Sequence, residues 1–307
     1  MAKIVALFGG QGAQAPGMGK ELYDQFESVR RVYECAGDIF GFDVAKTSFE
    51  GMPEELLPTG VAQPAMFTVA VAAFTAAGER GLAGVSAVAG HSAGELAALC
   101  CAGAYSLEDG MRLMKARAES MAAACARHEG AMYAMIGKTA QEVEQACADN
   151  QGQVWAVNYN LPNQTVLAGE KAAAAAAAAA LEAAAAKVVR LEVAGAFHTP
   201  LLEPAADMLR EQASRCVFRK PALAFYSNLT GGLLEIEDYP AYFVKHMLSP
   251  VRFVQQVEAM VSDGLDTCVE FGPKRVASLA KKNNKAFAAY CVEDLNSLEK
   301  AIAALAR

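Results

Sequence analysis

The stretch Val85-Ser86-Ala87-Val88-Ala89-Gly90-His91-Ser92-Ala93-Gly94-Glu95-Leu96-Ala97-Ala98-Leu99-Cys100 decides the fold. Its first five residues are small or β-branched, as in a buried strand. Its last six carry a helical pattern. A strand, a sharp turn with Ser at its apex and a helix make the nucleophile-elbow context. Such a turn lifts Ser92 Oγ clear of the sheet. The helix behind it points N–H groups at charge developing on a carbonyl oxygen. Gly90 and Gly94 let the backbone pack without a Cβ clash. The bare pattern also fits an ordinary βα turn; the flanking strand and helix favour the elbow.

Upstream, Ile4-Val5-Ala6-Leu7-Phe8 is an apolar run fit for a buried parallel strand. The loop Gly9-Gly10-Gln11-Gly12-Ala13-Gln14 follows it. It lacks the dinucleotide spacing and the Walker Lys-Ser/Thr pair. It is either a structural turn or a loop whose backbone approaches a ligand, with Gln11 its best-placed polar group. Helices are predicted over 21–34 and within 61–78, where Pro64 suits a first turn.

Downstream, Ser106 caps a helix predicted over 107–127, with Asp109 completing a variant capping box. Leu107, Met111, Met114, Ala118, Met121 and Cys125 form its apolar stripe. Arg117 borders or enters that stripe. A buried arginine needs an anion. Arg117 is therefore either a snorkelling or ion-paired structural residue, or a bidentate clamp for a substrate carboxylate.

Composition shifts near His128-Glu129-Gly130. Strand 132–136, helix 139–148, strands 153–158 and 164–168, helix 170–186 and strand 187–193 follow. That β-α-β-β-α-β order predicts a ferredoxin-like domain. Its second helix is largely alanine, the strongest helix former, and reads as plain scaffold. The chain then returns through Phe197-His198-Thr199-Pro200, where Thr199 is a candidate N-cap. A histidine beside a helix N-terminus is biased towards its neutral, basic form. Strands are predicted over 223–227 and 266–271. Helices are predicted over 237–247, from Ser249-Pro250 onward, and through Leu279. No acidic residue announces itself as a third triad member, so a main-chain carbonyl is the candidate to orient the base. His198 is the leading base and His246 remains possible.

The chain has 307 residues, is 54% hydrophobic and carries a formal charge of -7. The charge disfavours a partner bound mainly through phosphates, so no nucleic acid is expected. The start at Met1-Ala2-Lys3 resembles no signal peptide, and charge interrupts the apolar runs. A cytoplasmic protein without a membrane span is expected. The eight cysteines form no C-x-x-C pair and read as reduced thiols, with no metal site.

Taken together, the ordered set of motifs is specific. Gly9–Gln14, Gly90–Glu95, Arg117, Asn158-Tyr159-Asn160, Phe197-His198, Ser249-Pro250-Val251-Arg252-Phe253 and Glu270-Phe271-Gly272-Pro273 span nearly the whole chain. The sequence resembles the malonyl-CoA:acyl-carrier-protein transacylase family of type II fatty-acid synthesis. It is also similar to polyketide synthase acyltransferase domains. The resemblance implies an α/β fold: an α/β-hydrolase-like large domain (1–128 and 195–307) with an inserted ferredoxin-like small domain (129–194). It implies Ser92 as nucleophile, His198 as base, the N–H groups of Gln11 and Ala93 as oxyanion hole, and Arg117 as holder of the malonyl carboxylate. His91, Asn160, Phe197 and His246 would line or support the pocket.

The substrates implied are malonyl-CoA and the phosphopantetheine thiol of acyl carrier protein, with no bound cofactor and a monomeric chain. Two departures stand out. Ala93 replaces a larger aliphatic residue common in relatives, and His246 stands where the family usually has glutamine, whose main chain orients the base. Phe197 fits either malonyl selectivity or core packing. The same dyad would also serve a hydrolase or a trans-acting polyketide malonyl transferase.

Overall fold

A computed structural model describes residues 3–193 and 195–306. The predicted start at Met1-Ala2 and the expected boundary at 194 lie outside the described residues. Among the described residues ten strands form two sheets: β1 (Ile4–Phe8), β2 (Val85–Gly90), β3 (Gly130–Ile136), β4 (Val154–Leu161), β5 (Gln164–Glu170), β6 (Lys187–Arg190), β7 (Ala224–Ser227), β8 (Gly232–Leu233), β9 (Thr267–Phe271) and β10 (Ala288–Val292).

The larger sheet has the order β10-β9-β1-β2-β7-β8. Its first five strands are parallel and β8 is antiparallel. β1 and β9 are buried on both faces, which is why they read as continuous apolar runs. The smaller sheet, β4-β5-β3-β6, is wholly antiparallel, in the order of a ferredoxin-like unit. Its core is partly alanine: Ala173, Ala174, Ala177 and Ala178 face the sheet while the helix's other side is exposed.

The structure corrects several local expectations. The region 21–34 is two helices, Lys20–Gln25 and Glu27–Phe40, broken by extended backbone at Phe26. The next helix runs Thr59–Glu79, so Pro64 lies inside it rather than in its first turn. The ring lacks the N–H that would bond Gly60, a cost confined to the second turn. This helix is long and apolar enough to cross a membrane, but most of its apolar window is buried in the fold.

The alanine-rich helix ends at Ala183, because Ala185 adopts a left-handed φ of 67°. β6 stops at Arg190, and Leu191 and Val193 turn to line a cavity. Ser249–Arg252 does not open a helix. It pairs instead with β4, and the helix begins at Phe253. The Leu107–Arg127 helix has the bounds expected, and Ser106 Oγ accepts the Asp109 N–H. The Asp109 carboxylate turns to Arg112, so the box is half formed.

Candidate active site

β2 delivers the elbow. The His91 N–H donates to the Phe8 carbonyl (2.9 Å), tying the turn to β1. Ser92 has φ 53°, a left-handed conformation that costs a non-glycine residue energy. The flanking glycines are sterically required. A Cβ on Gly90 would sit 2.2 Å from Glu95 N, and one on Gly94 would sit 2.0 Å from the Phe8 oxygen. Asn228, directly after β7, holds the turn. Its Oδ1 accepts the Ser92 N–H (2.7 Å), and its Nδ2 donates to the Gly90 carbonyl (2.8 Å) and Gln256 Oε1 (3.0 Å).

Ser92 Oγ lies 2.6 Å from His198 Nε2. On the other side of the ring, Nδ1 lies 3.0 Å from the Ser249 carbonyl. Nδ1–H donating to that carbonyl leaves Nε2 as acceptor for the Ser92 hydroxyl. Burial, followed by the neighbouring Arg117 cation, pushes the imidazole down to about 3, so it is neutral at physiological pH. Thr199 Oγ1 donates to the Ala196 carbonyl instead of capping, and a 3-10 turn, Pro200–Leu202, leads into the helix Glu203–Ser214. The orienting carbonyl is chiefly that of Ser249, three residues beyond the expected His246.

Arg117 is 1% exposed. It snorkels nowhere, and among the described residues it makes no ion pair within 4 Å. Its Nη1 donates to Gln63 Oε1 (2.5 Å) and its Nη2 to Ser92 Oγ (3.1 Å). Burial lowers its pKa only to about 10, so it stays a cation. Gln63 in turn reaches Gln11 Oε1 (3.4 Å), linking the first loop to Ser92 through one polar chain.

Gly10 packs onto the elbow so closely that a Cβ would meet the His91 oxygen at 2.6 Å. The same Cβ would lie 3.5 Å from the Ala93 nitrogen, so the first loop packs against the residue after Ser92. Among the described residues neither the Gln11 nor the Ala93 N–H donates to a protein acceptor.

The cavity in front of Ser92 lies between the two sheets' domains. Gly10, Gln11, His91 and His198 line one side, and Met132, Ala134, Asn160 and Val166 line the other. His91 Nε2 meets Asn160 Oδ1 at 2.8 Å, and burial holds His91 down to about 4. Phe197 is buried and reaches the cavity wall.

The acyl transferase domain family model matches residues 5–292. A malonyl CoA-acyl carrier protein transacylase of Bacillus subtilis is 35% identical over 99% of this chain and 98% of its own length. The chain belongs to the malonyl-CoA:acyl carrier protein transacylase family. A solved malonyl-transacylase in complex with its type II PKS acyl-carrier protein is 34% identical, with a TM-score of 0.92 over 99% of this chain and 100% of that one. The transacylase of Xanthomonas oryzae gives a TM-score of 0.95 at 30% identity, covering 99% and 98% of the two chains.

Set in this family, His246 needs a correction. It does not line the cavity. It is buried behind the His198 ring, 5.9 Å away between centroids, and its Nε2 lies 3.2 Å from Glu95 Oε2. Sequence reasoning missed four further residues here: Gln63, Glu95, Asn228 and Tyr242. Gln63 was visible only as a residue beside Pro64, and Glu95 only as the end of the elbow motif. Asn228 and Tyr242 sat in unremarkable context. All eight cysteines are unpaired, and among the described residues no cluster of His, Cys, Asp and Glu could hold a metal ion.

Proposed function

We propose that the protein transfers the malonyl group of malonyl-CoA to the phosphopantetheine thiol of an acyl carrier protein by a ping-pong route. The observation that carries the reading is a buried guanidinium 3.1 Å from the Ser92 oxygen, with no carboxylate among the described residues paired to it. Ser92 Oγ attacks the thioester carbonyl while His198 Nε2 takes its proton. The Gln11 and Ala93 N–H groups hold the oxyanion. The C–S bond breaks, and the coenzyme A sulfur leaves with the proton returned by His198. The carrier thiol then gives its proton to His198 and attacks the malonyl-serine ester. Ser92 regains its proton as malonyl thioester forms. Throughout, Arg117 binds the free carboxylate through two parallel charge-assisted hydrogen bonds. Phe197 crowds the acyl α-carbon and disfavours a branch there.

The reading includes a cytoplasmic, monomeric enzyme with domain boundaries at 1–128, 129–194 and 195–307. The pathway is fatty-acid synthesis. The similarity to a transacylase solved with a polyketide carrier keeps a polyketide carrier as the second reading. A panel of purified carrier proteins separates the two. For the chemistry, Ser92→Ala should fold but gain no malonyl mass on brief incubation with malonyl-CoA. Malonylation of another residue in that variant would overturn the assignment.

A further inference from the structure

Arg275 brings a further guanidinium to the cavity in front of Ser92. It stands between β9 and the helix Val276–Asn283. Its backbone is fixed from below. Glu270, buried in β9, accepts the N–H groups of Arg275 (2.8 Å), Val276 (2.9 Å) and Ala277 (2.8 Å). These are the free donors of the first helical turn, so a carboxylate of the protein already occupies that helix N-terminus. An anion entering the cavity cannot use it.

The Arg275 side chain is placed differently. It lies against Gly12 of the first loop, where φ is 103° and a Cβ would collide with Arg275 Nη1. Among the described residues its guanidinium makes no ion pair within 4 Å and no hydrogen bond. Glu270 is the acid whose field reaches it, but both Glu270 oxygens are taken by backbone N–H groups. Arg275 is exposed, whereas Arg117 is 1% exposed. The site thus has one cation beside Ser92 and another towards solvent.

The substrates decide what the outer cation can read. A ping-pong site receives two thiol carriers in turn, coenzyme A and the carrier protein. Their common part runs from the thiol through two amides to a phosphate. Beyond it, one continues as a nucleotide and the other as a folded protein. A cation that serves both half-reactions has only that phosphate to meet as a shared anion. A guanidinium matches it with a planar pair of N–H donors. We propose that Arg275 binds the phosphate that ends the pantetheine arm, while the acyl carboxylate at the other end meets Arg117. The inference deepens the transfer reading and rests on it.

The test compares wild type, R275A and R275K on substrates that carry or lack the phosphate. As donors, malonyl-CoA is set against malonyl-pantetheine. As acceptors, the holo-carrier protein is set against free pantetheine. In R275A the kcat/KM ratio of the phosphate-bearing to the phosphate-free substrate falls about tenfold in both pairs, the low end for charge-assisted bonds because the contact is exposed and screened. R275K recovers part of it, keeping the charge without the fork. Circular dichroism establishes folding.

Unmoved ratios overturn the phosphate contact, including an equal loss with all four substrates, which would make Arg275 a brace for the first loop. A fall in the donor ratio alone assigns Arg275 to the nucleotide end of coenzyme A, and a fall in the acceptor ratio alone to the carrier's surface. Either overturns the shared contact. A wild type in which neither donor acylates Ser92 overturns the transfer reading, and this inference with it.

Discussion

Replacing Arg117 by alanine should separate malonyl from acetyl transfer. In the wild type, Nη1 is bonded to Gln63 and Nη2 to Ser92 Oγ. A malonyl carboxylate would add two charge-assisted bonds, each contributing about 1.5–3 kcal/mol. One existing bond to Ser92 is given up in exchange, at about 1 kcal/mol. Water entering the alanine cavity recovers part of the carboxylate's solvation. The net loss for malonyl is about 2–4 kcal/mol, or roughly 30- to 1,000-fold in kcat/KM. Acetyl has no carboxylate and loses only the Ser92 contact, about tenfold at most. Removal of an uncompensated buried cation also favours an apolar acyl group. Arg117→Lys should recover part of the malonyl rate, because a point charge lacks the planar fork. The assay is kcat/KM for malonyl-CoA and acetyl-CoA in all three proteins, with circular dichroism to establish folding. Equal losses for the two substrates would show that Arg117 supports the elbow and does not read the acyl group.

The other predictions concern the base and the turn. Burial and Arg117 hold His198 down to about 3, so kcat/KM should show no acid limb near 6.5 and should fall only as pH approaches about 3. A protonation step of midpoint 6.5 in kcat/KM that disappears with His198 would contradict this. Stability follows the same sign: the unfolded chain binds this proton from about 6.5 downward and the folded one does not, so His198 contributes a loss of stability as pH falls through that window. Asn228→Ala should leave the Ser92 N–H and the Gly90 carbonyl without their side-chain partner. The expected cost is about 2–5 kcal/mol, read as a lowered Tm and a lowered kcat together. A stable variant with wild-type kcat would show that the turn holds its conformation unaided.

What the sequence makes legible depends on how far away each cause lies. The elbow is legible because strand, glycines, nucleophile and helix are contiguous and each restricts the next. The Leu107–Arg127 helix is legible because its cap and stripe are local. The ferredoxin-like unit is legible from its alternation of elements. Asn228 is not, since its claim to a role is a bond to a residue 136 positions away. Gln63 and Tyr242 are hidden in the same way, by partners on other elements. Ser249-Pro250 misleads for a related reason: a Ser-Pro pair is a sound local helix start, but pairing with β4 captures the backbone first. β10 carries no signal strong enough to read, being a short edge strand of intermediate burial.

That captured segment explains how the dyad works without an acidic third member. The Ser249 carbonyl is useful to His198 only if it is fixed. The Val251 N–H donates to the Val157 carbonyl (2.7 Å), and the Tyr159 N–H donates to the Val251 carbonyl (2.9 Å). On the other side, the Arg252 N–H donates to the Asn228 carbonyl (3.0 Å). The segment is thus tied to the small domain through β4 and to the elbow through Asn228. Asn228 also fixes the Ser92 N–H, so nucleophile and base are referred to one anchoring residue. A neutral carbonyl orients the ring without placing a carboxylate next to Arg117, which a Ser-His-Asp arrangement would do. An acidic third member would compete with the acyl carboxylate proposed for Arg117, and the main-chain acceptor avoids that competition.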